Sequence, residues 1–293
     1  TTVAQNNNDI TYTGLHFTRP LGGGITGCVG VSARGRPQTT GGIDYTQGAT
    51  TIHKCKGSNI SSFAACNGSR NVVISSCVAD NMNEGVPAAG GIGIWMDEVV
   101  RGAVVDSKID CNNGGEHGIR RQGGDYFVSL SNWIQRPATT KSFITVRGWS
   151  GRTVGTQITS RYNQISYNHI DGSNNGSVGS FLSIEVAPQN ATAVEPIADC
   201  IVEGNFIYSH NIDYSSGIRI QAENVLYRNN AHYYGTQTTN SFHAIQISGP
   251  STGAAGANNC RFINNSFHSE SSASGFSAFN LQTTAPATNS FYN

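Results

Sequence analysis

The feature that most restricts this chain is that it spells one pattern again and again. Short alternating strands of two kinds follow one another, separated by Gly/Asn/Ser turns. The first kind reads NVVISSCVAD (71–80), GAVVDSKID (102–110), YNQISYNHI (162–170) and CIVEGNFIY (200–208), among others. The second reads GIGIWMDE (91–98), HGIRRQGG (117–124), FLSIEVAP (181–188) and GIRIQAE (217–223). No window holds the apolar spacing of a helix. The unit recurs about every 25 residues and stretches to about 40 where a loop is inserted, which is the signature of a solenoid. Two strands per unit with Gly/Asn corners predict a parallel β-helix, each unit one coil, with like strands stacked about 4.8 Å apart.

The expected fold is therefore all-β, a solenoid of roughly 8–10 coils with no clear capping helix. Residues 1–293 read as a single β-helix domain, with 1–50 less regular and 51–293 regular. The strands ITYTGLHF (10–17) and GITGCVGV (24–31) place the start of the solenoid near the N-terminus. Both terminal coils read as uncovered sheet edges, so the chain is either a piece of something longer or is covered there by partners or loops.

The first kind of strand carries Asn near its end at 132, 168, 205, 229 and 265. An amide both donates and accepts, so stacked Asn can tie the corners of successive coils together. Ladders of this kind resemble those of the right-handed β-helices in the pectin-lyase-like superfamily, over about residues 50 to 293. The resemblance implies a right-handed coil and a carbohydrate-active setting of the polysaccharide-lyase or tailspike kind. It does not supply a catalytic set. The polygalacturonase-like Asn-x-Asp, Asp-Asp, Gly-His-Gly and Arg-Ile-Lys motifs are missing, Arg219-Ile220-Gln221 being the nearest approach. The pectate-lyase Trp-Ile-Asp-His stretch is missing too, as is the alginate-lyase-like pair.

Composition removes several function classes. The net charge is zero, 12% of residues are charged, and no Lys/Arg run exists, so nucleic acid finds no footing. No apolar run approaches the roughly 20 residues that cross a bilayer as a helix. The 7 Cys form no Cys-x-x-Cys pair, which argues against zinc; Cys55 and Cys66 are the expected local bridge. Sequons at Asn59, Asn67, Asn175, Asn190 and Asn264 support secretion weakly. No cofactor is expected. Calcium stays open through the turn residues Asp110, Asp171 and Asp213.

Aligning the second kind of strand on its inward aliphatics sends the residues between them outward. One column then reads Gly93, Arg120, Thr145, Ser183, Arg219, Gln246. The next reads Trp95, Gln122, Arg147, Glu185, Gln221, Ser248, and a third holds Asp97 and Glu223. Arg120, Arg147, Glu185, Arg219 and Glu223 thus gather on one face of a charge-poor chain. That face reads either as a salt-bridge ladder between strands or as a groove for an acidic polysaccharide, where Arg pairs a uronate carboxylate. The candidate catalytic residues are Arg147, Glu185, Arg219, Lys141 and His117, with His243 beside them as a further base for a lyase. The candidate substrate contacts are Arg120, Gln122, Gln221, Glu223, Trp95, Trp149, Tyr233 and Tyr234. A hydrolase would need two carboxylates, and Glu185 with Glu223 or Asp97 is the pair the columns offer. Two functional classes follow. One is an extracellular or virion-surface protein that binds or cleaves an acidic glycan, as lyase or hydrolase. The other is a non-catalytic structural or adhesive solenoid that oligomerises or stacks end to end.

Overall fold

A computed structural model describes residues 10–18, 29–34, 36–37, 43–44, 49–82, 91–111, 115–135, 142–148, 160–172, 182–188, 197–209, 216–235, 242–249, 256–270, 276–281 and 288–292. Those residues form a parallel β-helix. Three long parallel sheets of ten, nine and nine strands run its length, each strand paired with its counterparts in the coils before and after. Within a coil the chain visits the first, second and third sheets in turn, for example Arg70–Ser75, Val78–Asp80 and Gly91–Asp97. No helix occurs among the described residues.

Each coil thus holds three strands, one more than the sequence pattern suggests. The first kind of strand is two strands joined by a corner of two residues. The first corner residue takes a left-handed conformation, as at Ser76 (φ 53°), Asp106 (φ 48°) and Asn229 (φ 55°). The second points inward, giving the column Cys77, Ser107, Asn132, Asn168, Asn205, Asn230 and Asn265. The side-chain oxygen of each Asn accepts the backbone N–H of the coil before it, at 3.0 Å from Ser107 to Asn132 and 2.9 Å from Asn168 to Asn205. Its amide donates to a carbonyl of that previous coil, as Asn132 does to Val104 at 2.9 Å. Only a side chain that is donor and acceptor at once can serve both needs inside a dry core. The ladder member in the coil of residues 224–234 is Asn230. Asn229, expected in that role, is the left-handed corner residue instead.

Inside, Ile, Val and Phe from all three sheets make one continuous core. Among the described residues six cysteines are buried and free, Cys55 and Cys66 among them, so the expected bridge does not form. Cys55 sits at a corner after Thr50–His53, whereas Cys66 lies within Ser62–Asn67 of the third sheet. Tyr234, expected as an exposed sugar contact, is also in the core. Its hydroxyl lies 2.9 Å from Nδ1 of His232, whose Nε2 is 2.7 Å from the Tyr227 hydroxyl.

In the third sheet, two neighbouring residues of each strand face inward together. Phe143 with Ile144 and Ala244 with Ile245 are all core members. Glycine fills the first of these slots where a large side chain of the second sheet rises beneath it. A Cβ on Gly118 would stand 2.3 Å from Cγ2 of Ile134, and one on Gly217 would stand 2.6 Å from the Tyr234 hydroxyl. The paired inward slots slip the alternation by one, and this sets which residues reach the outer face.

Candidate functional site

Strand pairing places Trp95, Arg120, Thr145, Glu185, Arg219 and Gln246 in one column of the third sheet. Asp97, Gln122 and Arg147 form the column beside it. Trp95 and Glu185 therefore stand in register with Arg120 and Arg219, one column away from the expected position. Ser183 is buried and donates to the Gly217 carbonyl at 3.1 Å. Glu223 leaves the patch altogether. It lies past the end of the strand, bridging Ala198 and Asn258 at the next corner.

Glu185 is buried on this face between two arginines. One carboxylate oxygen accepts from Arg147 Nη2 at 2.6 Å and Nε at 3.0 Å, and from the Thr145 hydroxyl at 3.1 Å. Arg219 stands 3.7 Å from the other oxygen. Its Nη2 also donates to Gln221 at 2.8 Å, and its side chain is 35% exposed. Arg147 is therefore committed to Glu185, and Arg219 is the loosely held cation at the edge of the cluster. The salt-bridge ladder accounts for Glu185 itself.

Two coils toward the N-terminus a second cluster surrounds Arg120. Its guanidinium lies 3.7 Å from Asp97 and 3.8 Å from Glu116, and stacks 5.0 Å from the Trp95 ring. Its Nε donates to Gln122 Oε1 at 2.9 Å. Burial pushes the Asp97 carboxyl up to about 6, with the Arg120 guanidinium pulling the other way. Two contacts plus the width of one guanidinium keep Asp97 and Glu116 within about 10 Å of each other, inside the range spanned by the carboxylate pairs of glycoside hydrolysis. Glu116 was not legible as a site residue. The pairing of Gly91 with Gly115 and of Ile92 with His117 steps over it, so it belongs to a bulge that period-two reading passes by.

His117 is fully buried, its Nδ1 2.9 Å from the Ser142 carbonyl. His243 lies in the same row of the sheet, against the Ser277 hydroxyl at 2.5 Å, and burial lowers its pKa. Tyr233 is on a different face, in the second sheet, stacked between Tyr208 (5.2 Å) and His268 (4.8 Å) and donating to Glu270. Lys141, Trp149 and Asp213 lie outside the described residues. Among the described residues no group of three or more His, Cys, Asp or Glu side chains is arranged to hold a metal ion.

No family model and no curated protein matches the sequence. Solved structures do match in fold. A tailspike protein double mutant of E. coli bacteriophage HK620 superimposes with a TM-score of 0.58 at 14% identity, over 84% of this chain and 43% of its own. A second double mutant of that tailspike gives 0.53 at 11% identity, over 94% and 54%. DFA-IIIase from Arthrobacter chlorophenolicus A6, in complex with GF2, gives 0.50 at 10% identity, over 100% and 65%. The chain thus spans about half the length of the tailspike chains it matches. With three parallel sheets stacked coil on coil and these neighbours, the chain has the fold of a right-handed parallel β-helix.

Proposed function

We propose that the outer face of the third sheet binds an acidic polysaccharide laid along the solenoid axis, and that Asp97 and Glu116 hydrolyse it there. The observation that carries this reading is the pair of carboxylates held on either side of Arg120. Asp97, kept protonated up to about pH 6 by its burial, is the acid that donates a proton to the glycosidic oxygen. Glu116, the more exposed of the two, takes a proton from the water whose oxygen bonds to the anomeric carbon. The C–O bond to the leaving sugar breaks as the Asp97 proton reaches its oxygen. Arg219 lies three coils from Arg120 and four from the strand of Asp97, about 14 to 19 Å along the axis at the strand spacing of a sheet, far enough for a chain of several sugars between the two clusters. Its loosely held guanidinium suits a substrate carboxylate. Trp95 adds a flat ring next to the acid. An extracellular or virion-surface setting goes with this reading.

Elimination is less well supported. Among the bases a lyase would use, Arg147 is spent on Glu185, and His117 is buried against Ser142.

The test is incubation with a panel of acidic and neutral polysaccharides, followed by assays of new reducing ends and of ultraviolet absorbance from unsaturated ends. Reducing ends without unsaturation are expected, lost in Asp97→Asn and in Glu116→Gln while binding persists. Unsaturated ends would replace hydrolysis by elimination. Binding with no product from any polymer would leave a glycan-binding solenoid without turnover, the reading that the ion-paired Glu185 favours.

A further inference from the structure

One inward column of the third sheet runs Met96, Arg121, Val146, Val186, Ile220 through successive coils. Four of these are what a dry core calls for. Arg121 is not, yet it is fully buried. Taking a guanidinium out of water costs several kcal/mol unless hydrogen bonds and nearby charge compensate. A chain that uses Val or Ile at the equivalent positions has a reason to accept that cost here.

The surroundings of Arg121 show where its donors go. Nη1 donates to the Met96 carbonyl at 3.3 Å, and Nη2 donates to the Val99 carbonyl. Those two carbonyls bracket Asp97 and Glu98, at the corner where Glu98 takes a left-handed conformation (φ 53°). The housing is made by residues that come later in the chain. Gly124 (φ 93°) leaves room for the fork, since a Cβ there would stand 2.4 Å from Nη2 and 2.5 Å from the Val99 carbonyl. Phe127 presents its ring 5.9 Å from the guanidinium carbon. Arginine, glycine and phenylalanine at 121, 124 and 127 thus build one compartment behind one outward carboxyl.

We propose that Arg121 is a positioning residue for Asp97: from inside the solenoid it clamps the backbone on both sides of Asp97 and fixes where that carboxyl stands on the outer face. The proposal rests on Asp97 being the acid of the proposed hydrolysis, but the clamp is measurable without any glycan. The charges around Asp97 are Arg120 on the outer face, Arg121 within, Arg147 further along its own column, Glu98 next in the chain and Glu116 across Arg120. Arg120 and Arg147 act from the solvent side. Arg121 alone acts from behind and through the backbone, so its removal frees the carboxyl as well as changing its field.

The experiment follows the Asp97 carboxyl carbon by NMR through a pH titration in the wild type, Arg121→Met, Arg121→Lys and Gly124→Ala. In Arg121→Met the midpoint is expected to rise by about one pH unit, as a nearby positive charge is lost. Arg121→Lys, which keeps the charge but not the planar fork, is expected to fall between wild type and Arg121→Met. Gly124→Ala keeps every charge and displaces the guanidinium, and is expected to move the midpoint as well. If glycan hydrolysis is found, the alkaline limb of its pH profile, where the acid loses its proton, should move with the midpoint.

A folded Arg121→Met with an unmoved Asp97 midpoint overturns the proposal, and so does a moved midpoint there with unmoved ones in Arg121→Lys and Gly124→Ala, because loss of the charge alone accounts for that pattern. If Arg121→Met does not fold, unmoved midpoints in both Arg121→Lys and Gly124→Ala overturn it. A shifted midpoint in a protein that cleaves no glycan sinks the hydrolysis and leaves the clamp standing.

Discussion

The coils at Gly118–Gln122 and Gly217–Gln221 share four of five residues, and each shared residue now has a physical reason. The glycine lets a second-sheet side chain, Ile134 or Tyr234, rise against the strand. The isoleucine, 119 or 218, is core. The arginine points out, and the buried glutamine accepts from it, at 2.9 Å from Arg120 Nε and 2.8 Å from Arg219 Nη2. The fourth position differs, Arg121 against Ile220, and both are fully buried. The outer neighbours differ as well. Arg120 stands between Asp97 and Glu116, whereas Arg219 leans on a Glu185 already held by Arg147. Repetition supplies identical slots, and the chemistry enters through the occupant of the one slot that ought to be apolar.

Swapping that slot gives the largest expected effect. Ile220→Arg would place a guanidinium where no glycine-lined compartment receives it. The strand is followed by Ala222 and Glu223 where the other coil has Gly123 and Gly124. A buried charge without partners costs about 3–5 kcal/mol, enough to threaten folding of a marginally stable chain. Denaturant unfolding would show it as a collapse of the transition midpoint. An Ile220→Arg protein as stable as wild type would mean that any coil can house the charge, and the special status of Arg121 would be lost.

The two coils also show what the sequence could and could not reveal. The phase of the core aliphatics is plain because Ile and Val recur at period two. The three-strand coil was hidden because its corner is only two residues long: in NVVISSCVAD, Ser76 turns left-handed and Cys77 points in, so the alternation reads as unbroken. Asn229 and Asn230 are the same letter, and only backbone conformation tells which one turns and which one joins the ladder. The outward columns slipped because Phe143–Ile144 and its counterparts face inward in pairs. Tyr234, expected as an exposed ring for a sugar, is in the core because His232 satisfies its hydroxyl there. Glu116 vanished into a bulge. Local residue type was readable throughout, while whatever depended on a one-residue offset was not.

Acid should act on the two coils in opposite directions. Beneath Gly217, burial holds His232 down to about 3, from an ordinary 6.5. The unfolded chain therefore takes up that proton first, and stability is lost as pH falls from about 6.5 toward 3, on the order of 3 kcal/mol. Beside Arg120, the Asp97 carboxyl is raised to about 6 from 3.8. Its contribution is full below about 3.8 and is lost as pH rises through about 6, so on acidification it partly offsets His232. Asp97→Asn removes the offset, and its stability should fall more steeply than wild type between pH 6 and 3.8. A profile no steeper than wild type would mean that Asp97 titrates normally.

Adding a methyl group to each shared glycine gives a smaller effect, with a rank order. Gly118→Ala meets Cγ2 of Ile134 at 2.3 Å and the Phe143 carbonyl at 2.9 Å, both fixed by the core. Gly217→Ala meets the tip of Tyr234 at 2.6 Å, which can tilt at the expense of its bond to His232. Overpacking of this kind costs about 1–3 kcal/mol, and Gly118→Ala should lie at the upper end with Gly217→Ala below it. Thermal or denaturant unfolding of the two variants ranks them, and the reverse order would contradict the rigid contact under Gly118.

The smallest change in stability, and the most telling for binding, belongs to the outward arginines. Arg219 is more than one-third exposed, and a contact of 3.7 Å to Glu185 leaves solvent to screen the pair. Arg219→Ala should therefore alter stability by less than about 1 kcal/mol. Arg120→Ala should cost more, since it removes the stack on Trp95 and leaves Asp97 and Glu116 with no guanidinium between them. Binding should separate the two coils differently. If Arg219 receives a substrate carboxylate, its loss weakens an acidic glycan about tenfold and a neutral analogue hardly at all, since 1.4 kcal/mol is a factor of ten. The difference should shrink as salt is raised, because an exposed charge contact is screened over about 8–10 Å at physiological ionic strength. Titration calorimetry with matched acidic and neutral oligosaccharides at two salt concentrations reads all of this. Equal weakening of both ligands would show that Arg219 supports the shape of the face and does not read charge.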